Sequence, residues 1–299
     1  TVTYVAGNSE PFRFTDEQAG RELETDAIRA RIEASIQNLS PETEALKPKE
    51  LSPNVYRVEL ENATVLRARV ATQLSGSAAA QENAALAAIQ FQGVRIEPGE
   101  SLSFNQTVGL RTEESGYVQA EEPAYGQDAV GVGGGVCQVS TALYQLALTG
   151  GLDVTERSAA VYPVDYCDAG QEAAVSDQGL DLAFTNNTGA PLFLIVRVYD
   201  EDGGRTMEMQ LIGEAMDKRF SLVSEVETID APEEPVYVRD SDGRYAAYTD
   251  ERIPVGEAKP GYRAAVKLVD ENGETAQVVS EDTYDAVAQI VYVGVQQRN

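Results

Sequence analysis

Histidine is absent from the 299 residues, as is tryptophan, and cysteine occurs only twice. The missing histidine removes the usual general base near neutral pH and the commonest zinc ligand. Two cysteines make no disulfide scaffold, although one bridge between them stays open. Basic residues are scarce as well: 23 against 49 acidic ones give a net charge of −26, spread along the chain and not gathered in a tail. The basic footprint that phosphate binding needs is missing, which argues against nucleic acid as a partner. No run reaches the roughly eighteen apolar residues of a membrane-spanning helix, so a membrane is expected only through an anchor outside this chain. The chain opens at Thr1 with neither an initiator methionine nor a signal-peptide pattern, and removal of an upstream segment is the expectation.

What is present supports folding. A hydrophobic content of 42% and this length suit two or three domains with at least one buried core, and the acidic excess fits a solvated secreted or surface protein. Leu23, Ala27, Ile28, Ile32, Ile36 and Leu39 recur at helical spacing, with Thr25 or Asp26 as cap. A stretch with three prolines, "SPETEALKPKELSP", breaks regular structure, and "NVYRVELENATVLRARVATQLSG" resumes with strand alternation. An alanine-rich helix running to about Phe91 follows, then turns at Gly93 and at Pro98-Gly99, and a short strand through Leu102 and Phe104. After residue 150, "LDVTERSAAVYPVDYC", "LDLAFTNNTG" and "PLFLIVRVYD" read as strands, and from Met216 short strands alternate with Gly- and Asp-rich turns. The expected fold class is α+β over residues 63–215, with a partial segment at 1–62 and a small all-β domain at 216–299.

One stretch carries chemistry: "GVGGGVCQVSTALYQLALTGG", residues 131 to 151. It predicts a helix over about 136 to 149, stopped by Gly150-Gly151, with Cys137 in its first turn. Unpaired N–H groups and the partial positive charge at such a terminus favour a thiolate. Gly133, Gly134 and Gly135 would let a substrate come close and turn N–H groups towards an oxyanion. The bland reading stands beside it, because cysteine is often buried as a small hydrophobe and Val136, Val139, Leu143 and Leu146 already form an apolar stripe. Gln138 and Ser140 suit hydrogen bonds to substrate, to nearby loops or within the first helical turn.

Residues 64 to 212 resemble the VanW family of bacterial cell-wall-associated proteins, through "IEPGESLSFNQTVGLRT", "GYVQA", "GVGGGVCQVSTALYQLAL", "GLDVTER", "YPVDY" and "DLAFTNNTGAPLFL" in that order. The end of the chain, with "YTDERIPVGEAKPGYRAAVKLV" and "AQIVYVGV", resembles a five-glycine wall-associated module, and the first residues resemble the tail of a peptidoglycan-binding module. The resemblance implies an extracytoplasmic protein at the cell wall or membrane-anchored surface. It also implies a cysteine-dependent L,D-transpeptidase that moves an acyl group between peptidoglycan stem peptides, with peptidoglycan peptide or glycan as partner.

The chain departs from the family where a base is needed. Family histidines after the Glu-Arg pair are replaced in "ERSAAVYPV", where Ser158 and Ala160 stand, and "EAAV" puts Glu172 at an aspartate position. Proton transfer is then left to Glu172 or Asp165, with a pKa raised by burial, or to Tyr162 or Tyr166 as a relay. Loss of catalysis with wall binding retained is the other outcome. Arg157 suits a substrate carboxylate or an ion pair with a neighbouring acid. Asp181 and Asn186-Asn187 either close the site or form a turn, and Cys167 is the available partner for a bridge to Cys137. No metal site is expected, since "YDEDGG" and "RDSDGR" read as turns before calcium loops. No cofactor is expected either, since "GVGGG" lacks the Lys-Ser/Thr of a phosphate loop.

Overall fold

The computed structural model describes residues 1–5, 11–39, 47–122, 129–201 and 203–298. It is a mixed, strand-rich chain of two compact units, Thr1–Val65 and Leu66–Asn299.

The first unit holds the antiparallel strands β1 (Val2–Tyr4) and β2 (Phe12–Phe14), then β3 (Gly20–Glu22), helix α1 (Thr25–Gln37), β4 (Lys49–Leu51), which pairs with β3, and helix α2 (Arg57–Asn62). Helix α1 starts after Glu24, one residue before the expected caps, and buries none of its residues. Its apolar stripe lies open, with Ile32, Ile36 and Leu39 exposed. Where strand alternation was expected at "RVELEN", the chain is helical. The Glu59 carboxylate accepts the Tyr56 N–H, and Arg57 pairs with Glu61 one turn on, so local helical contacts outweigh the alternation. The proline-rich break expected at 40–53 falls partly outside the described residues, as does Asp202 of "YDEDGG".

The second unit begins with β5 (Val65–Gln73) and helix α3 (Ala78–Ile89). Ser77 caps α3 by accepting the Ala80 N–H, and alanine supplies helix propensity at little bulk. Its buried Ala84, Ala87 and Ala88 let it lie close against its neighbours. Next come β6 (Arg95–Ile96), β7 (Ser101–Ser103), the short helix α4 (Phe104–Val108), β8 (Gln119–Glu121) and β9 (Val130–Val132). Phe104, expected in the strand, opens α4 instead because the Ser103 hydroxyl caps the Gln106 N–H. Helix α5 (Val136–Thr149) leads to β10 (Asp153–Glu156), β11 (Ala183–Thr185), β12 (Leu192–Glu201) and β13 (Gly204–Gly213).

A four-stranded sheet, β5-β13-β12-β6, is covered by α3 and α5, and a second sheet, β10-β11-β7, closes the same core. Phe91, Phe104, Leu143, Leu146, Leu182, Leu192, Leu194 and Met209 are fully buried there. The remaining strands are β14 (Phe220–Ile229), β15 (Val236–Asp240), β16 (Arg252–Val255), β17 (Gly261–Asp270), β18 (Thr275–Tyr284) and β19 (Ile290–Gly294). They form two three-stranded sheets, β14-β17-β18 and β15-β19-β16. Of the segment "LDVTERSAAVYPVDYC" only Asp153–Glu156 is strand. Residues 157–175 run as an irregular loop, because their backbone groups are claimed by side chains from three directions, as described next. No helix among the described residues is long and apolar enough to cross a membrane.

Candidate functional site

Cys137 is the second residue of α5, and the turn before it is built by glycine for internal reasons. Gly133 and Gly135 take φ of +91° and +97°, the left-handed region that side chains avoid. A Cβ on Gly134 would meet the carbonyl of Ala120, and one on Gly135 the carbonyl of Ala80. The N–H groups of Gly133, Gly134, Val136 and Gln138 donate to the carbonyls of Val118, Gly131, Gly133 and Gly135. Close approach is thus used by β8 and α3, and these four donors are spent within the fold instead of facing an oxyanion.

The side chains after Cys137 are equally committed. Gln138 accepts the Ser75 N–H at 3.0 Å and donates to Thr72 Oγ1 and to the Gln73 carbonyl, fixing the end of β5. Ser140 donates to the carbonyl of Ala173 at 2.6 Å, and Thr141 Oγ1 accepts the Ala173 N–H at 3.0 Å. Of the readings open for these two, Gln138 bonds to the end of β5 and Ser75, while Ser140 bonds both to the neighbouring loop and, within the first helical turn, to the Cys137 carbonyl at 3.0 Å. Together these bonds hold the far end of the 157–175 loop against α5. The Cys137 thiol donates to the Val175 carbonyl at 3.5 Å on that same segment.

Above the thiol lies a cleft of about 310 Å³ lined by Cys137, Gln138, the three glycines, Arg111, Glu121, Glu122, Asp165, Tyr166 and Asp177. Arg111 is buried, pairs with Asp177 at 2.6 Å and donates to Asn105 Oδ1 at 3.0 Å. Burial pushes the Glu122 carboxyl up from its ordinary value, an effect the Arg111 charge opposes and Asp177 reinforces. Glu121, on the rim, goes the other way, because Ser77 donates to it. The Tyr166 hydroxyl is buried, and burial raises its pKa well above the ordinary value, with the Cys137 and Cys167 sulfurs adding to the rise and the Thr141 hydroxyl opposing it. Asp165 and Tyr166 were legible in the sequence. Arg111, Glu122 and Asp177 were not, since each sits in a polar stretch that spacing does not distinguish from a solvated loop.

The other expected residues lie elsewhere. Glu172 does not line the cleft. It is 1% exposed and accepts from the Tyr284 hydroxyl at 2.5 Å, the Gly170 N–H at 2.9 Å and the Ala160 N–H at 3.3 Å. Arg157 holds Asp282 through both carboxylate oxygens at 2.7 Å, donates to the carbonyls of Glu172 and Gly170, and lies over the Tyr144 ring. Tyr162 donates to the Pro260 carbonyl and packs edge-on against Tyr262. Asp181 accepts from Ser103 and from the Asn105 N–H at the start of α4, and Asn186 braces its own turn through the carbonyls of Ile96 and Ala190. Both cysteines are thiols, packed beside the same small cluster of Ala160, Val164 and Ala174. Among the described residues no group of three or more Cys, Asp or Glu is placed to hold a metal ion.

A family model described as "VanW like protein" matches residues 79–209. The chain carries a VanW-like domain. That domain spans α3 to β13 and so contains the glycine turn, α5, the loop and most of the residues that line the cleft. An uncharacterized protein of Bacillus subtilis, YoaR, is 34% identical over 125 residues, covering 42% of this chain and 41% of its own length. The vancomycin B-type resistance protein VanW of Enterococcus faecalis is 30% identical over 179 residues, covering 58% of this chain and 61% of its own. The chain therefore spans about two fifths and three fifths of these relatives. The crystal structure of HP0197-G5 aligns with 25% of the chain at 15% identity and a TM-score of 0.15, which carries no statement about fold.

Proposed function

We propose that this is a cell-envelope protein whose VanW-like domain performs cysteine-dependent acyl transfer on peptidoglycan stem peptides. The observation that carries the reading is the cleft itself: one thiol at a helix N-terminus, a buried arginine, and a carboxyl group whose proton is held more tightly than usual, all lining one cavity.

In this scheme Cys137 Sγ attacks a peptide carbonyl carbon of the donor stem, the C–N bond breaks, and the departing amine takes a proton. The resulting thioester is attacked by a side-chain amine of a second stem, whose proton returns to the protein as the new amide forms and the sulfur is released. Glu122 takes the proton-transfer role expected of Glu172, because it lines the cleft and Glu172 does not. Its raised pKa keeps a carboxyl group useful as an acid nearer neutral pH. Arg111 presents its guanidinium to a stem-peptide carboxylate. The wall-module resemblances at the two ends support placement at the wall. With a net charge of −26, binding there depends on local grooves and not on long-range attraction to anionic polymer.

The test is incubation with stem peptides followed by mass spectrometry of wild type and Cys137→Ala. The expected result is an acyl adduct on the peptide containing Cys137 and a cross-linked product, both lost in the variant. Neither species from wild type, with the thiol demonstrably reduced, would overturn the enzyme reading. A catalytically silent stem-peptide binder is then the second reading, favoured by the four N–H groups of the glycine turn that carbonyls of the chain already occupy.

A further inference from the structure

The loop 157–175 is held at two places that differ in kind. Its final residues are stitched to α5 by Ser140 and Thr141, inside the VanW-like domain. Its base is gripped by a strand outside that domain. Tyr284, the last residue of β18, donates to Glu172, and Asp282, two residues earlier on the same face of the strand, accepts two bonds from Arg157. Ser280, two residues earlier again, donates to the Gly170 carbonyl, and Gln171 donates to Ser224 on β14. Gly170 packs so closely on β17 that a Cβ there would collide with Val266. Between Arg157 and Gly170, both held by that strand, lie Asp165 and Tyr166, which form one wall of the cleft beside Cys137.

We infer that the sheet β14-β17-β18 is a working part of the Cys137 site: Tyr284 and Asp282 are positioning residues that hold, through Glu172 and Arg157, the loop that walls the cleft. The buried acids and Arg157 at this junction are fully engaged by partners on both sides, so the loop's course is specified jointly by the two regions. A strand contributing only a tether to the wall needs no such bonds. The inference rests on the cleft being the functional site.

The experiment uses the full chain with Cys167→Ala, so that Cys137 is the one thiol, and reads its rate of alkylation by iodoacetamide as a function of pH. Tyr284→Phe and Asp282→Asn are expected to change the rate on the order of tenfold, the effect on loop opening of losing a hydrogen bond to a charged partner, and to displace the pH midpoint. Asp282→Glu, which keeps the carboxylate, restores most of the wild-type profile. Val291→Ala, in the neighbouring sheet and buried, lowers the melting temperature without moving the profile. Wild-type rates and midpoints in folded Tyr284→Phe and Asp282→Asn would overturn the inference, as would an equal change in Val291→Ala. Lost coupling with intact stem-peptide transfer sinks this inference alone. Intact coupling with no acyl adduct sinks the acyl-transfer reading alone.

Discussion

Two buried arginine–carboxylate groups flank the same loop, and they are finished to different degrees. At its base, Arg157 meets Asp282 in a two-pronged pair while Glu172 takes three donors, and the guanidinium rests on an aromatic ring. In the cleft, Arg111 meets Asp177, which is 30% exposed, while burial pushes Glu122 towards its protonated form. The first arrangement satisfies its charges with protein groups, as a structural junction must. The second leaves desolvated polar groups facing a cavity, which is where binding and catalysis draw their energy. Under the acyl-transfer proposal, similar residue types divide between holding and acting, and the division follows from what each faces.

The comparison breaks most readily at the carboxyl groups. Glu122→Gln is expected to slow stem-peptide transfer by roughly two to four orders of magnitude while leaving the fold intact. Steady-state transfer rates check this, and an unaffected rate returns proton transfer to Asp165 or Tyr166. At the base of the loop, Arg157→Met takes both bonds from the largely buried Asp282 and removes the cation beside Glu172, and should cost about 3–5 kcal/mol in denaturant unfolding. Arg111→Met, whose partner reaches water, should cost only about 1–3 kcal/mol, so equal losses would erase the distinction. Gly134→Ala pushes a methyl group into the Ala120 carbonyl, and a loss of about 1–3 kcal/mol is expected from the same measurement.

The smallest effect is a pH dependence. A carboxyl group whose folded pKa lies above its ordinary 4.5 binds its proton more tightly in the native state, so native stability falls as pH rises through that interval. Wild type and Glu122→Gln should melt alike below the ordinary value, and the variant should gain on wild type as pH rises past the raised one. A gap that closes with rising pH would reverse the assignment.

Helix α5 and the glycine turn were legible because local rules converge there: three glycines, an apolar stripe and two terminal glycines agree on one element. The alanine-rich helix and the strand Leu192–Glu201 were legible for the same reason. The loop 157–175 was not, because its course is fixed by Tyr284 and Asp282, more than a hundred residues away, and periodicity carries no record of such bonds. That distance also explains Glu172. A polar residue where the resemblance leads one to expect an acid looks like a candidate catalyst until the strand that occupies it is seen. Helix α1 illustrates the opposite limit, since its apolar stripe is plain in the sequence and finds no cover in the structure. Arg111 and Glu122 became visible only through burial, a property of the folded chain.

Four residues near the start of α5, Cys137, Gln138, Ser140 and Thr141, each have a separate correspondent: the cleft, the end of β5, and the two faces of Ala173. An α-helix advances about 100° per residue, so inserting or deleting one residue among them turns the residues on one side of the change out of phase with those on the other, and the sulfur loses its alignment with at least one of the anchored side chains. The thiol is thus set like the tooth of a key, by rotation about the helix axis, and natural variation in this region should proceed by substitution and not by changes in length.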